Sequence, residues 1–193
     1  MMRAFSSTGN SGRNDVRVAI VTTYEELLHA LMVRGICFVE EHGVAAGQTY
    51  DGNDYQATHI VAYAGEEPIA SARVRWFRDF AKMERSCVRK QYRSPRILKY
   101  FSHFIYDHVA RKGYDRLLTH AKPEYAEMWC RLLGLERTAK EPLYFDEEAE
   151  PYVELVKRLT PHADPIRDTA SIATLFRVEG EWDAPSRYER VDG

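Results

Sequence analysis

The chain has 193 residues, 45% of them hydrophobic and 29% charged, enough for one well-packed domain and too few for two comfortable ones. A formal net charge of −2 and a pI near 6.4 exclude the whole molecule as an electrostatic partner of nucleic acid, so any basic surface must be local. No apolar run reaches transmembrane length, and Cys37, Cys87 and Cys130 form neither a CxxC nor a zinc spacing, so a soluble cytoplasmic protein without a membrane span is expected.

Residues 1–15 are polar and rich in Ser, Gly and Asn, and read as a mobile tail. Residues 16–21 (VRVAIV) are a β-branched run and predict a first strand. Thr22 and Thr23 followed by Glu25 and Glu26 mark a helix start, and the spacing Leu27, Leu28, Leu31, Met32 continues that helix toward Cys37 and Phe38. Residues 40–56 carry Gly43, Gly47, Gly52 and Asn53 and read as loop. Residues 59–64 and 69–77 are two strand signals joined by a hairpin-like turn at 65–68, and residues 81–88 (AKMERSCV) are a third, more polar strand.

Ser94-Pro95 opens the strongest helix signal, an N-cap followed by proline at the first helical position. Its apolar stripe is Ile97, Leu98, Phe101, Ile105 and Val109, and Gly113 stops it. Residues 117–121 predict a short buried strand, and residues 123–133 a further helix ended by Gly134. Residues 152–159 alternate in a way that suits either a strand or a short amphipathic helix. The domain is thus expected over 16–159, with 160–193 as a loop-rich extension packed on it. The order of elements predicts an α+β layered fold, with helices flanking a mixed, mostly antiparallel sheet.

Two charge patterns call for chemistry. Residues 85–99 hold six basic residues and no acid, namely Arg85, Arg89, Lys90, Arg93, Arg96 and Lys99, and they flank a helix N-terminus where an anion is favoured. Such runs are otherwise solvated faces. Asp51 and Asp54, just before the second strand, can bind an ammonium or pair with Arg34 and Arg73 simply to fix the loop. The seven histidines show no metal spacing: His103 and His108 lie five apart on a helix, off one face. His120 ends a central strand and is a candidate to face a cleft. Trp76, Phe77, Phe80 and Trp129 suit an acyl pocket or, more ordinarily, the core.

The element order over residues 16–159 resembles the GNAT N-acyltransferase superfamily, and so does the stretch Glu84-Arg-Ser-Cys-Val-Arg-Lys-Gln-Tyr-Arg-Ser94 leading into the long helix. Trp129-Cys130-Arg-Leu-Leu-Gly134-Leu135 is similar to a second family motif on the following helix. Within the superfamily, Arg34 with Phe38, Asp51-Gly-Asn-Asp54-Tyr55, Arg73 and Arg85 resemble the autoinducer synthase and N-acyl amino acid synthase branch. Where the family often has Arg-Gly-x-Gly-x-Gly, this chain has Arg93-Ser-Pro-Arg-Ile-Leu98, and a family tyrosine falls at Cys130.

The resemblance implies an acyltransferase that moves an acyl group from an acyl-CoA or acyl-carrier-protein thioester to the amine of a small molecule such as an amino acid. No permanently bound cofactor is implied. Acetyl-CoA-dependent N-acetylation and a catalytically silent binding module are the alternatives. It implies catalytic roles for Glu84 (accepting the amine proton), Arg73, the backbone N–H near Val88 (oxyanion contact) and Cys130 (acid toward the thiolate), with Tyr125 as a substitute acid. Substrate binding falls to Arg34, Phe38, Asp51, Asp54 and Arg85. Donor binding falls to Arg89, Lys90, Arg93, Ser94 and Arg96. Removing Glu84 or Arg73 is expected to cost turnover and to leave folding nearly intact.

Overall fold

The structure, a computed structural model, describes residues 16–144 and 150–189. The segment read as a mobile tail lies outside these residues. A seven-stranded sheet runs in the order β1-β2-β3-β4-β5-β7-β6, with β1 at Val16–Ile20, β2 at Thr58–Ala64, β3 at Glu67–Trp76, β4 at Ala81–Val88, β5 at Arg116–Ala121, β6 at Glu136–Arg137 and β7 at Val153–Arg158. Every neighbouring pair is antiparallel except β4–β5. The mixed, mostly antiparallel sheet matches the expectation, and residues 152–159 resolve as strand.

Alternation along the strands divides the sheet into two faces. One carries Ile60, Ala62, Ala72, Val74, Met83 and Leu117, all buried. Helix α3 (Pro95–Arg111) covers this face with Phe101, Ile105 and Val109, each fully buried. The stripe read from the sequence is correct at its centre, while Leu98 leans instead onto a second cluster built around Ala126, Leu133 and Leu155. That cluster belongs to helix α4 (Pro123–Leu133), which ends at Gly134 in the left-handed region at φ 65°. Ser94 Oγ accepts from Ile97 N–H at 3.2 Å, so the N-cap is made as expected.

The opposite face meets helix α1 (Tyr24–Arg34), started by a capping box between Thr23 and Glu26. The chain then continues to Phe38 as foreseen, but as a π-helical segment, Gly35–Glu41. Residues 42–57 are more structured than a loop. They hold the single-turn helix α2 (Ala46–Thr49) and a 3₁₀ turn at Asp54–Gln56, neither of which has a periodicity long enough to be seen in sequence. The C-terminal extension contains one helical turn, α5 (Ile172–Leu175). It returns to α3 through His162 N–H to Ala110 O at 3.0 Å and Ile166 N–H to Arg111 O at 3.0 Å. Glu179 then binds both the buried His108 (3.0 Å) and Lys112 (2.9 Å).

No helix among the described residues is long and apolar enough to cross a membrane.

Candidate active site

The parallel pair β4–β5 is joined at only two positions, Ala81↔Leu117 and Lys82↔Leu118, although β4 continues to Val88 and β5 to Ala121. Beyond Lys82 and Leu118 the two strands part, and β4 has no strand partner on that side among the described residues. Arg89 donates its N–H to Ile69 O on β3 at 2.9 Å. Amides alternate in direction along a strand, so the N–H of Val88 is turned toward the open seam.

β4 also carries a bulge. Between the pairs Arg73↔Glu84 and Ser71↔Cys87, β3 advances two residues and β4 three. Arg85 absorbs the extra residue at φ 53°, the left-handed region that L side chains rarely adopt. The result puts consecutive side chains, Glu84 and Arg85, on the same face of the sheet.

That face bears a charged cluster assembled from α1, β2, β3, β4 and the segment 51–54. Arg73, only 2% exposed, binds Asp51 (2.7 and 2.9 Å), Asp54 (2.8 Å) and Glu84 (2.8 and 3.0 Å). Arg34, fully buried, binds Asp54 at 2.6 Å and the carbonyl of Thr49. Arg85 reaches Asp51 at 3.2 Å and the carbonyl of Gln48. Lys82 closes on the second oxygen of Glu84 at 2.8 Å. His59, in the strand position facing Arg73, donates its Nε2–H to Asp54 O, 3.0 Å away.

The electrostatics follow from this wiring. Hydrogen bonding from Arg73 holds the Asp51 carboxyl well below the usual range. Burial works to raise Asp54 and Glu84, but the cations beside them outweigh it and both stay low. Burial depresses His59, keeping its imidazole neutral.

The structure therefore brings together Arg34, Arg73, Asp51, Asp54, Glu84 and Arg85. Arg34 and Arg73 are buried and bind the loop carboxylates Asp51 and Asp54. Glu84 is an anion held by three cations, Arg73, Lys82 and, at 3.7 Å, Arg75, which makes it a weak base. Phe38 sits half-buried on the π-helical segment. Cys130 packs against the α4 cluster, and Tyr125 is 40% exposed on the same helix. Trp76 and Trp129 pack on the core, and Phe77 and Phe80 stack on one another across the β3–β4 turn with centroids 4.7 Å apart.

The donor loop is largely occupied by the protein itself. Arg89 is tied to Glu67, and Arg93 to Glu41 and to Val88 O. The N–H of Lys90 donates to the same Glu41 carboxylate at 3.2 Å. Pro95 has no N–H, and the amides of Ile97 and Leu98 are taken by Ser94. Lys90, Arg96 and Lys99 remain exposed basic side chains. The acids Glu41 and Glu67, distant in sequence, are what the basic run alone did not reveal.

A cavity of about 860 Å³ opens on the other side of the Asp51–Asp54 wall, between the start of α1 and residues 50–59. Its described lining includes Asp51, Asp54 and Glu179, with Tyr24, Tyr50 and Tyr55, and no lysine or arginine.

The chain has clear relatives. An acetyltransferase candidate of Bacillus subtilis (strain 168) is 30% identical over 146 residues, covering 74% of this chain and 97% of the relative. The chain belongs to the GNAT superfamily. The crystal structure of a candidate N-acetyltransferase from Lactobacillus plantarum, 26% identical, superposes with a TM-score of 0.67 over 76% of this chain and 99% of its own. The structure of FeeM, an N-acyl amino acid synthase from uncultured soil microbes, shares the GNAT fold at 13% identity, with a TM-score of 0.60 over 75% of this chain and 91% of its own. No family model matches the chain. Membership of the GNAT superfamily supports a transferase. About a quarter of this chain lies outside the matched region.

Proposed function

We propose that this protein transfers an acyl group from a thioester donor to a small, positively charged amine. The observation that carries the reading is the parted β4–β5 seam, with the unpaired amide of Val88 on its edge and the Arg73 cluster on the adjoining face. A thioester laid in the seam meets a backbone donor for its carbonyl oxygen, and that oxygen gains negative charge as the amine attacks.

The cavity beyond Asp51 and Asp54 supports a cationic acceptor, since three carboxylates and three tyrosines line it, with the neutral His59 and no lysine or arginine among the described lining residues. An amino-acid acceptor would bring a carboxylate of its own, for which the described lining offers no lysine or arginine. The favoured acceptor is therefore an amine without an acid group.

Donor binding rests on side chains more than on amides, because most amides of the loop are already bonded or absent. Exposed Lys90, Arg96 and Lys99 suit the acidic surface of a carrier protein, at longer reach than a pyrophosphate cradle. The acetyltransferases among the relatives favour a second reading, in which free acetyl-CoA is the donor.

Both are tested by steady-state kinetics with matched acyl-CoA and acyl-carrier-protein thioesters against a panel of amines, alongside mass spectrometry of extracts from overproducing cells. Release of thiol that depends on an added amine supports the reading. No transfer from any thioester, with no thermal shift on adding one, overturns it in favour of a silent binding module.

A further inference from the structure

We infer that His120 is the general base that takes the proton from the attacking amine, an inference that rests on the acyl-transfer reading above. Lys82 and Leu118 are the last register pair before β4 and β5 separate. Stepping two residues along each parallel strand keeps to the same face, and the first same-face pair across the open seam is Glu84 and His120. His120 thus stands on the seam wall opposite the charged cluster, on the face that α3 and α4 leave free.

Its surroundings are those of a base held ready. The register partner of His120 on β7 is Glu154, and the carboxylate lies 3.8 Å from Nε2. Glu154 is itself fixed by Lys140 at 2.9 Å. With Nε2 turned to Glu154, Nδ1 has no hydrogen-bond partner among the described residues and is left to accept a proton. The side chain is 20% exposed, enough to meet a ligand in the seam. The charges facing it are Lys82 and Glu84 from β4, Glu154 from β7 and Lys140 from the β6–β7 connection. Burial, with Lys82 next, lowers the imidazole pKa and keeps the ring neutral near pH 7. Glu84, in contrast, has its lone pairs committed to cations.

The step balances without further reagents. The ammonium first releases one proton to solvent; the neutral amine nitrogen then attacks the thioester carbon, the C–N bond forms, and an N–H proton passes to Nδ1 of His120. The C–S bond breaks as the tetrahedral intermediate collapses, and the imidazolium returns the same proton to the departing thiolate.

The test uses the full chain, acetyl-CoA and an aromatic amine that stays uncharged over the pH range, so that only the protein titrates. His120→Asn should lower kcat roughly 10²–10⁴-fold, as loss of a general base does, and remove the acid limb of the pH profile while the melting temperature stays near that of the unaltered chain. Glu154→Gln supplies an independent readout. The Glu154 charge raises the imidazole pKa, so its removal should move the acid limb to lower pH. A wild-type pH profile in active His120→Asn protein, or an acid limb that stays in place in Glu154→Gln, overturns the assignment. If the unaltered chain transfers no acyl group from any thioester to any amine of the panel used above, the acyl-transfer reading fails and the assignment falls with it.

Discussion

Arg73 and Glu84 are register partners on β3 and β4, and the guanidinium of one grips the carboxylate of the other through both Nε (3.0 Å) and Nη2 (2.8 Å). The same guanidinium also holds Asp51 and Asp54, so a single side chain ties the sheet to the loop above it.

Removing that side chain should therefore cost stability, contrary to what the sequence suggested. Arg73→Ala leaves three carboxylates facing one another without their common cation, a loss of about 3–5 kcal/mol for breaking a buried network. Chemical denaturation would measure it. A loss below about 1 kcal/mol would mean that solvent replaces Arg73 easily and that the cluster does not hold the loop.

Phe101 is fully buried where α3 meets the sheet. Phe101→Ala should cost about 3–5 kcal/mol with little change in any binding property. Thermal or urea unfolding monitored by circular dichroism gives the comparison.

Glu41 is an anion already seated on the donor loop, against Lys90 N–H and Arg93. Glu41→Gln should lower KM for a phosphate-bearing thioester several-fold at low salt, by removing a competing charge. Reversing charge at Lys90 or Arg96, which are exposed, should raise that KM more than reversal at Arg89, which Glu67 already neutralises. Steady-state kinetics at two ionic strengths separates these outcomes, and salt-insensitive KM values in every variant would remove the basic run from donor binding.

Glu179 is held low: burial would raise its pKa, but hydrogen bonds from His108 and Lys112 outweigh that. Because its folded pKa lies below the unfolded value, this group stabilises the docked extension above the ordinary glutamate range, and the contribution disappears as pH falls. Amide exchange in residues 160–189 should accelerate selectively below about pH 4.5, the ordinary value for the group. Glu179→Gln should exchange fast at neutral pH as well. Equal protection of wild type and variant at pH 7 would show that the extension docks by other contacts.

Much of the architecture was legible because it follows local rules. Ser94-Pro95, the α3 stripe and Gly134 each encode an element within a few residues, and each was found where expected. The site was legible only as a list of charged positions. Which of them touch solvent depends on pairing across β3, β4 and the loop, and no local pattern records that Arg34 and Arg73 lie inside. The bulge at Arg85 was likewise invisible, since arginine carries no preference for positive φ. Glu41 and Glu67 approach the basic run from 52 and 22 residues away, beyond any window of spacing. His120 offered one faint signal, its place at a strand end, and gained its meaning only from the register of β4 with β5.

The C-terminal extension begins beyond β7, on one arm of the parted sheet, and reaches Ile20 of β1 on the other, where a side chain at Gly180 (φ 86°) would come within 2.5 Å of Ile20 Cγ1. It thus runs like a belt between two arms whose facing strands are paired at two positions among the described residues. A belt of this kind limits how far the halves can be pried apart when something wedges between them. Displacing it with Gly180→Ala would act on the seam through the extension, without altering any β4 or β5 residue that lines it.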